Sequence, residues 1–344
     1  MTGERSAPRG SSLRPLLVFA GKLLISSVLI WFVLSRLSLT EITAAMTHPR
    51  WGLLVAAFAV YGISALGGAL QWAWILRAGG IRVSRRRILR VYFIGLFFNN
   101  FLPANIGGDA WKIVDLGGQE GRRLGVFCAT LLDRLIGLGA LSLAAVLVLL
   151  GTALGGVPLP GVTLVMIPVL LILMLVLVVL LSRRLGGWGV SLLTRVGLGR
   201  LAAPLERVTG ELGLYRPQVG LLQRVFLFSM GVQSLRMATH ILVALGLGYV
   251  LDGSQILQLL VLVPVLAVSL TLPVTINGIG LRESVSASLL TWSGLAGPQA
   301  VAMEVAAYLV QVFFSLSGGI LLLTRRGGTG TSGAADGSES VDVL

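Results

Sequence analysis

Runs of about 20 consecutive apolar residues, each long enough to cross a bilayer core as a helix, dominate this sequence and leave few folds open to it. Full-length runs lie at Leu16–Leu34, Trp51–Leu76, Leu124–Leu150, Val162–Leu181, Leu222–Leu251 and Gln299–Thr324. They are unbroken instead of striped, as lipid-facing helices are. Only 12% of the 344 residues are charged, against roughly 25% in a soluble domain. The expected fold is therefore all-α: a polytopic transmembrane bundle of about six full spans over residues 16–324. The 15 residues before the first span are polar and basic. No small-residue cleavage site follows that span, so the expectation is an uncleaved signal anchor. The single cysteine, Cys128, excludes an intramolecular disulfide and a cysteine-rich metal site. His48 and His240 are too far apart in sequence for a ligand motif and are read as bland.

Arginine placement orients the bundle, because short cytoplasmic loops collect Lys and Arg. Arg5, Arg9 and Arg14 precede the first span, six arginines from Arg77 to Arg90 follow the second, and six more fill the loop 183–217. Arg36 and Arg50 alone fall on the other side, so both termini are expected in the cytoplasm. The net charge of +13 is spread over these flanks, which excludes a nucleic-acid-binding face and suits anionic headgroups. The loop 183–217 mixes Trp188, Val190, Leu192, Leu193 and Leu205 with its arginines, as a helix lying in the headgroup plane does. The tail 325–344 is rich in Gly, Ser and acid and is expected to be disordered.

Two apolar stretches are interrupted. Val91–Leu102 meets Asn99, Asn100, Pro103, Asn105, Gly107, Gly108 and Asp109 after about a dozen residues, too early to have crossed the core. Backbone broken at that depth must be buried in protein or line a watery cavity, so residues 99–109 are expected to form a re-entrant turn. Ile256–Leu272 is followed in the same way by Pro273, Asn277, Gly278, Gly280, Arg282 and Glu283. The segments 102–108 and 272–278 share Leu, Pro, Ile and Gly at four of seven places, a match that chance could also give, and on the expected topology they enter from opposite faces. That is the arrangement of an inverted repeat with a central site.

Charges at membrane depth cost at least about 2.5 kcal/mol each on insertion scales. Asp109, Asp133, Arg134, Arg236, Arg282, Glu283 and Glu304 lie in or near spans. They are expected either to line a shared polar cavity or to form static pairs that fix packing. Lys22 and Arg224, near span ends, are read as snorkelling.

Asn99-Asn100-Phe101-Leu102-Pro103 leading to Gly107-Gly108-Asp109, then Asp133-Arg134, then Pro273 with the run Asn277 to Glu283, together resemble the flippase-like transmembrane family found as the N-terminal region of lysylphosphatidylglycerol synthases. Lys112 stands where a basic residue often follows Gly-Gly-Asp in that family. The resemblance implies a bacterial or archaeal inner-membrane protein that moves a lipid headgroup between leaflets or assists in handling lipid-linked substrates. The synthases add a soluble aminoacyltransferase domain; here 20 residues follow Thr324, so a stand-alone member without lipid aminoacylation is expected.

Taken together, Gly107, Gly108, Gly278 and Gly280 would start half-helices inside the membrane whose N–H groups suit a phosphate, although a tight turn alone would also require glycine. Arg134, Arg236 and Arg282 would supply cations. Asn99, Asn100, Asn105 and Asn277 would supply neutral hydrogen bonds, and Asp109, Glu283 and Glu304 counter-charges or proton sites. The implied ligand is an anionic phospholipid or a polyprenyl phosphate, with a separate lipid synthase or glycosyltransferase as a partner and no cofactor or metal. A membrane-embedded transferase and a non-transporting scaffold are the rival readings.

Overall fold

The computed structural model describes residues 49–101, 107–156, 161–197, 199–269 and 297–324. These form ten α-helices: α1 Trp51–Ala78, α2 Arg85–Phe101, α3 Gly107–Gln119, α4 Arg123–Leu154, α5 Met166–Leu181, α6 Arg183–Arg195, α7 Gly199–Leu212, α8 Val219–Gly246, α9 Gly253–Ser269 and α10 Gly297–Leu323. No strand occurs among the described residues. The fold is the expected polytopic helix bundle. The span expected at Leu16–Leu34 and the second interruption lie outside the described residues, as does the tail.

Among the described residues, four stretches are long and apolar enough to cross a bilayer: α1, α4, α10 and the run ending in α8. The expected span Val162–Leu181 is a 3-10 turn, Gly161–Val165, followed by the 16-residue α5. Met166 is its only buried residue, while Leu171, Ile172 and Leu175 stay exposed, as lipid contact demands of a helix apolar on every side.

Two faces of the bundle are fixed by hydrogen bonds between segments. On one, the Arg50 N–H donates to the Gly246 carbonyl at 2.8 Å, and the Tyr249 hydroxyl donates to Gln299 O at 3.3 Å, so α1 and α10 begin where α8 ends. On the other, Gln218 Nε2 donates to Ala78 O at 2.8 Å. There Arg122 joins three segments, donating to Gly80 O at 3.1 Å and to Glu211 Oε1 at 3.0 Å. The amphipathic helices α6 and α7 lie on this second, arginine-rich face. They form two helices separated at Gly197, whose φ of +81° favours glycine.

Small residues set the packing. α1 turns Gly62, Ala65, Gly67, Gly68 and Ala69 inward, letting α8 approach closely, as membrane helices without a hydrophobic drive require. α2 and α10 run antiparallel: Gly318 meets the backbone of Phe93, and the Tyr308 hydroxyl donates to Asn100 O at 3.2 Å. Tyr308 is near the middle of α10, so α2 ends at mid-depth.

Candidate functional site

The first interruption is a helical hairpin. α2, with 17 residues, is about 25 Å long, short of a core about 30 Å thick, and the 13-residue α3 returns to the arginine-rich face. The break is narrower than residues 99–109: Asn99 and Asn100 are still helical in α2, and Gly107, Gly108 and Asp109 already form the first turn of α3. Asn99 explains the difference by accepting the Gly108 N–H at 2.8 Å, which caps α3 from the last turn of α2. Gly108 has a packing reason as well, since a methyl there would strike the Gly95 carbonyl. Its N–H is therefore engaged and not open to a phosphate.

Behind this hairpin lies a cavity of about 780 Å³ between α1, α2, α3, α4, α8, α9 and α10. The sequence-predicted residues Asn99, Asp109, Lys112, Asp133, Arg134, Arg236 and Glu304 all line it. Asn100 is not among its lining residues; its Nδ2 donates to Leu96 O at 3.2 Å, and its carbonyl accepts from the Tyr308 hydroxyl of α10. Asn105, Asn277, Gly278, Gly280, Arg282 and Glu283 lie outside the described residues.

Asp109 holds two cations. Arg134 donates to its Oδ2, and Lys112 Nζ lies 3.5 Å from its Oδ1. Lys112 is only 5% exposed; its ammonium also sits 4.5 Å from the Tyr92 ring centre and 5.1 Å from that of Trp72, a cation–π cradle. Asp133 accepts from Gln71 Nε2 at 2.8 Å, and Gln71 Oε1, buried beside the cavity, has no hydrogen-bond partner among the described residues.

Arg236 is different. Its guanidinium donates to a neutral acceptor, Gln233 Oε1 at 3.5 Å, and among the described residues no carboxylate reaches it within 4.0 Å. It lies ten residues before the end of the 28-residue α8, about 15 Å from that end at 1.5 Å per residue. A guanidinium at mid-depth facing a cavity is half of an anion site.

Among the lining residues that the sequence reading did not place at the site are Gln71 and His240. Gln71 sits inside a full-length span, where an amide is itself a signal. His240 follows Arg236 by one helical turn, and its Nε2 lies 3.4 Å from Glu304 Oε2; the four-residue spacing was the available clue. On the apolar side, Phe127, Leu131, Leu135 and Leu138 form one stripe of α4 along the cavity and keep part of their surface exposed.

The family model described as the lysylphosphatidylglycerol synthase TM region matches residues 19–319. The chain is 29% identical over 124 residues to the UPF0104 membrane protein PH1989 of Pyrococcus horikoshii, a match covering 35% of this chain and 36% of that protein. The alignment thus spans about a third of the relative's length. No solved structure matches. With the model covering nearly all of the bundle, the chain belongs to the lysylphosphatidylglycerol synthase transmembrane-region family.

Proposed function

We propose that this multi-pass membrane protein moves a phosphate-bearing lipid between leaflets, with the headgroup received in the mid-depth cavity and bound by Arg236. The supporting observation is that guanidinium, held at the middle of a span with a neutral amide as its neighbour. Insertion scales make such a residue costly, and a phosphate offers the bidentate acceptor its fork matches. Asn99 and Gln71 add neutral hydrogen-bonding atoms to the same cavity. The acyl chains run outside, against the Phe127–Leu138 stripe. The arginine-rich face is cytoplasmic and the membrane is the inner one, following the distribution of Arg and Lys.

The test is lipid movement by the purified chain in liposomes containing a fluorescent phosphatidylglycerol, read by dithionite quenching of the outer leaflet. Wild type is expected to expose inner-leaflet label. Arg236→Gln is expected to slow this about ten- to a hundredfold, the equivalent of one charged hydrogen-bonded contact of about 1.5–3 kcal/mol. Arg236→Lys is expected to recover part of the rate. A new lipid product without label movement would replace this reading with a transferase, and neither outcome would leave a scaffold.

A further inference from the structure

One helical turn beyond Arg236, α8 brings His240 to the cavity, and α10 brings Glu304 to meet it. His240 is 8% exposed and Glu304 1%, with His240 Nε2 at 3.4 Å from Glu304 Oε2. The other ring nitrogen, Nδ1, lies 3.0 Å from the carbonyl oxygen of Arg236. A carbonyl can only accept, so a proton resides on Nδ1 and the neutral ring turns its Nε2 lone pair toward the carboxyl group. Two acceptors then face each other. One added proton resolves this, as imidazolium against carboxylate or as imidazole against carboxylic acid, and the two forms differ only in which atom carries it.

We infer that His240 and Glu304 form a proton-binding site whose occupancy is linked to the binding of a phosphate headgroup at Arg236. This rests on the headgroup reading above. The proton is taken from cavity water as an N–H or O–H bond forms and is returned to that water when the bond breaks. Residues four apart on a helix are about 5–6 Å apart at Cβ. A positive charge added at His240 therefore favours the same anion that Arg236 attracts, strongly at low dielectric. Linkage makes the effect reciprocal: the bound anion raises the affinity for the proton by the same factor.

Among the described residues, the following groups share the cavity with this pair. On α8 the nearest charged neighbour is Arg236; α1 brings Tyr61 and α2 brings Tyr92 to the cavity, while α9 turns only Val263, Leu266 and Ala267 to it. The α3 and α4 charges, Asp109 with Lys112 and Arg134, are already engaged with one another, and Asp133 is held by Gln71.

The test uses a water-soluble probe, dihexanoylphosphatidylglycerol, titrated calorimetrically into the purified full chain in buffers of different ionisation enthalpy. Wild type is expected to take up a fraction of a proton, approaching about one, for each lipid bound, and to bind about tenfold more tightly at pH 5.5 than at pH 8, across the range in which histidine titrates. Glu304→Gln and His240→Gln are expected to lose both the proton uptake and the pH dependence. Binding by wild type with no proton uptake and a flat pH profile overturns the inference and leaves the headgroup reading standing; that outcome needs no variant to fold. No binding at any pH removes the headgroup reading and this inference with it.

Discussion

Lys112 is a cation with 6% of its side chain exposed, held by Asp109 and two aromatic rings. Removing one member of such a pair costs far more than replacing both, because a lone charge is left in a dry site. Asp109→Ala is accordingly expected to destabilise the chain by about 3–5 kcal/mol, read as a large drop in thermal unfolding temperature in detergent, and Lys112→Met in the same chain is expected to restore much of it. A small effect of Asp109→Ala would show that water reaches Lys112 freely. The charges themselves are legible in the sequence, because any carboxylate inside an apolar run stands out. Their pairing is only partly so: Asp109 and Lys112 share a face of α3 by their three-residue spacing, but Arg134 joins them only when α3 folds back beside α4. His240 is illegible for the same reason, since its partner arrives on α10.

Among the elements, the α2–α3 hairpin depends on a close approach at Gly108, where a Cβ would meet the Gly95 carbonyl and the Asn99 side chain. Gly108→Ala is expected to cost about 1–3 kcal/mol through overpacking. Gly187→Ala in the interior of α6, where a methyl would meet nothing within 4 Å, is expected to gain up to about 1 kcal/mol from helix propensity. Equal and small effects at both positions would argue against a tightly closed hairpin. Asp252 caps α9 by accepting from the Gln255 N–H at 2.8 Å and the Ser254 hydroxyl at 2.7 Å, and these bonds hold its carboxyl below the usual carboxylate range. A lowered folded value stabilises the chain above the unfolded pKa of about 3.9 and loses that contribution as pH falls through the folded value. The melting-temperature advantage of wild type over Asp252→Ala is thus expected to be constant near neutrality and to shrink below about pH 4; an advantage unchanged in acid would exclude this cap. The clustering of Asn, Pro and Gly makes the break in α2 readable, while its edges are blurred because a side chain, Asn99, completes the turn. The start of α2 at Arg85 instead of Val91 has a similar cause: arginines outside the lipid extend a helix as readily as apolar residues do.

At the scale of the whole molecule, hydropathy fixes the number of long helices well and their company poorly, since lipid and protein interior accept the same side chains. Run length reveals that α2 stops within the membrane, but not that Tyr308 meets it there or that α5 lies at the periphery. The two faces permit a direct check of orientation. With Cys128, which is buried, replaced by Ala, a cysteine at the exposed Leu154 or Val250 is expected to react with a membrane-impermeant maleimide on intact cells. A cysteine at Glu120 is expected to react only after the cells are opened, and the reverse pattern would invert the topology. The clamp made by Arg122 has a mechanical consequence. By gripping both Gly80 and Glu211, it welds the surface plate of α7 to the root of α4, the helix that carries Asp133 and Arg134. Crowding of negatively charged lipid beneath that plate would then be felt as torque on the polar chamber, giving the bilayer's composition a lever on the protein it surrounds.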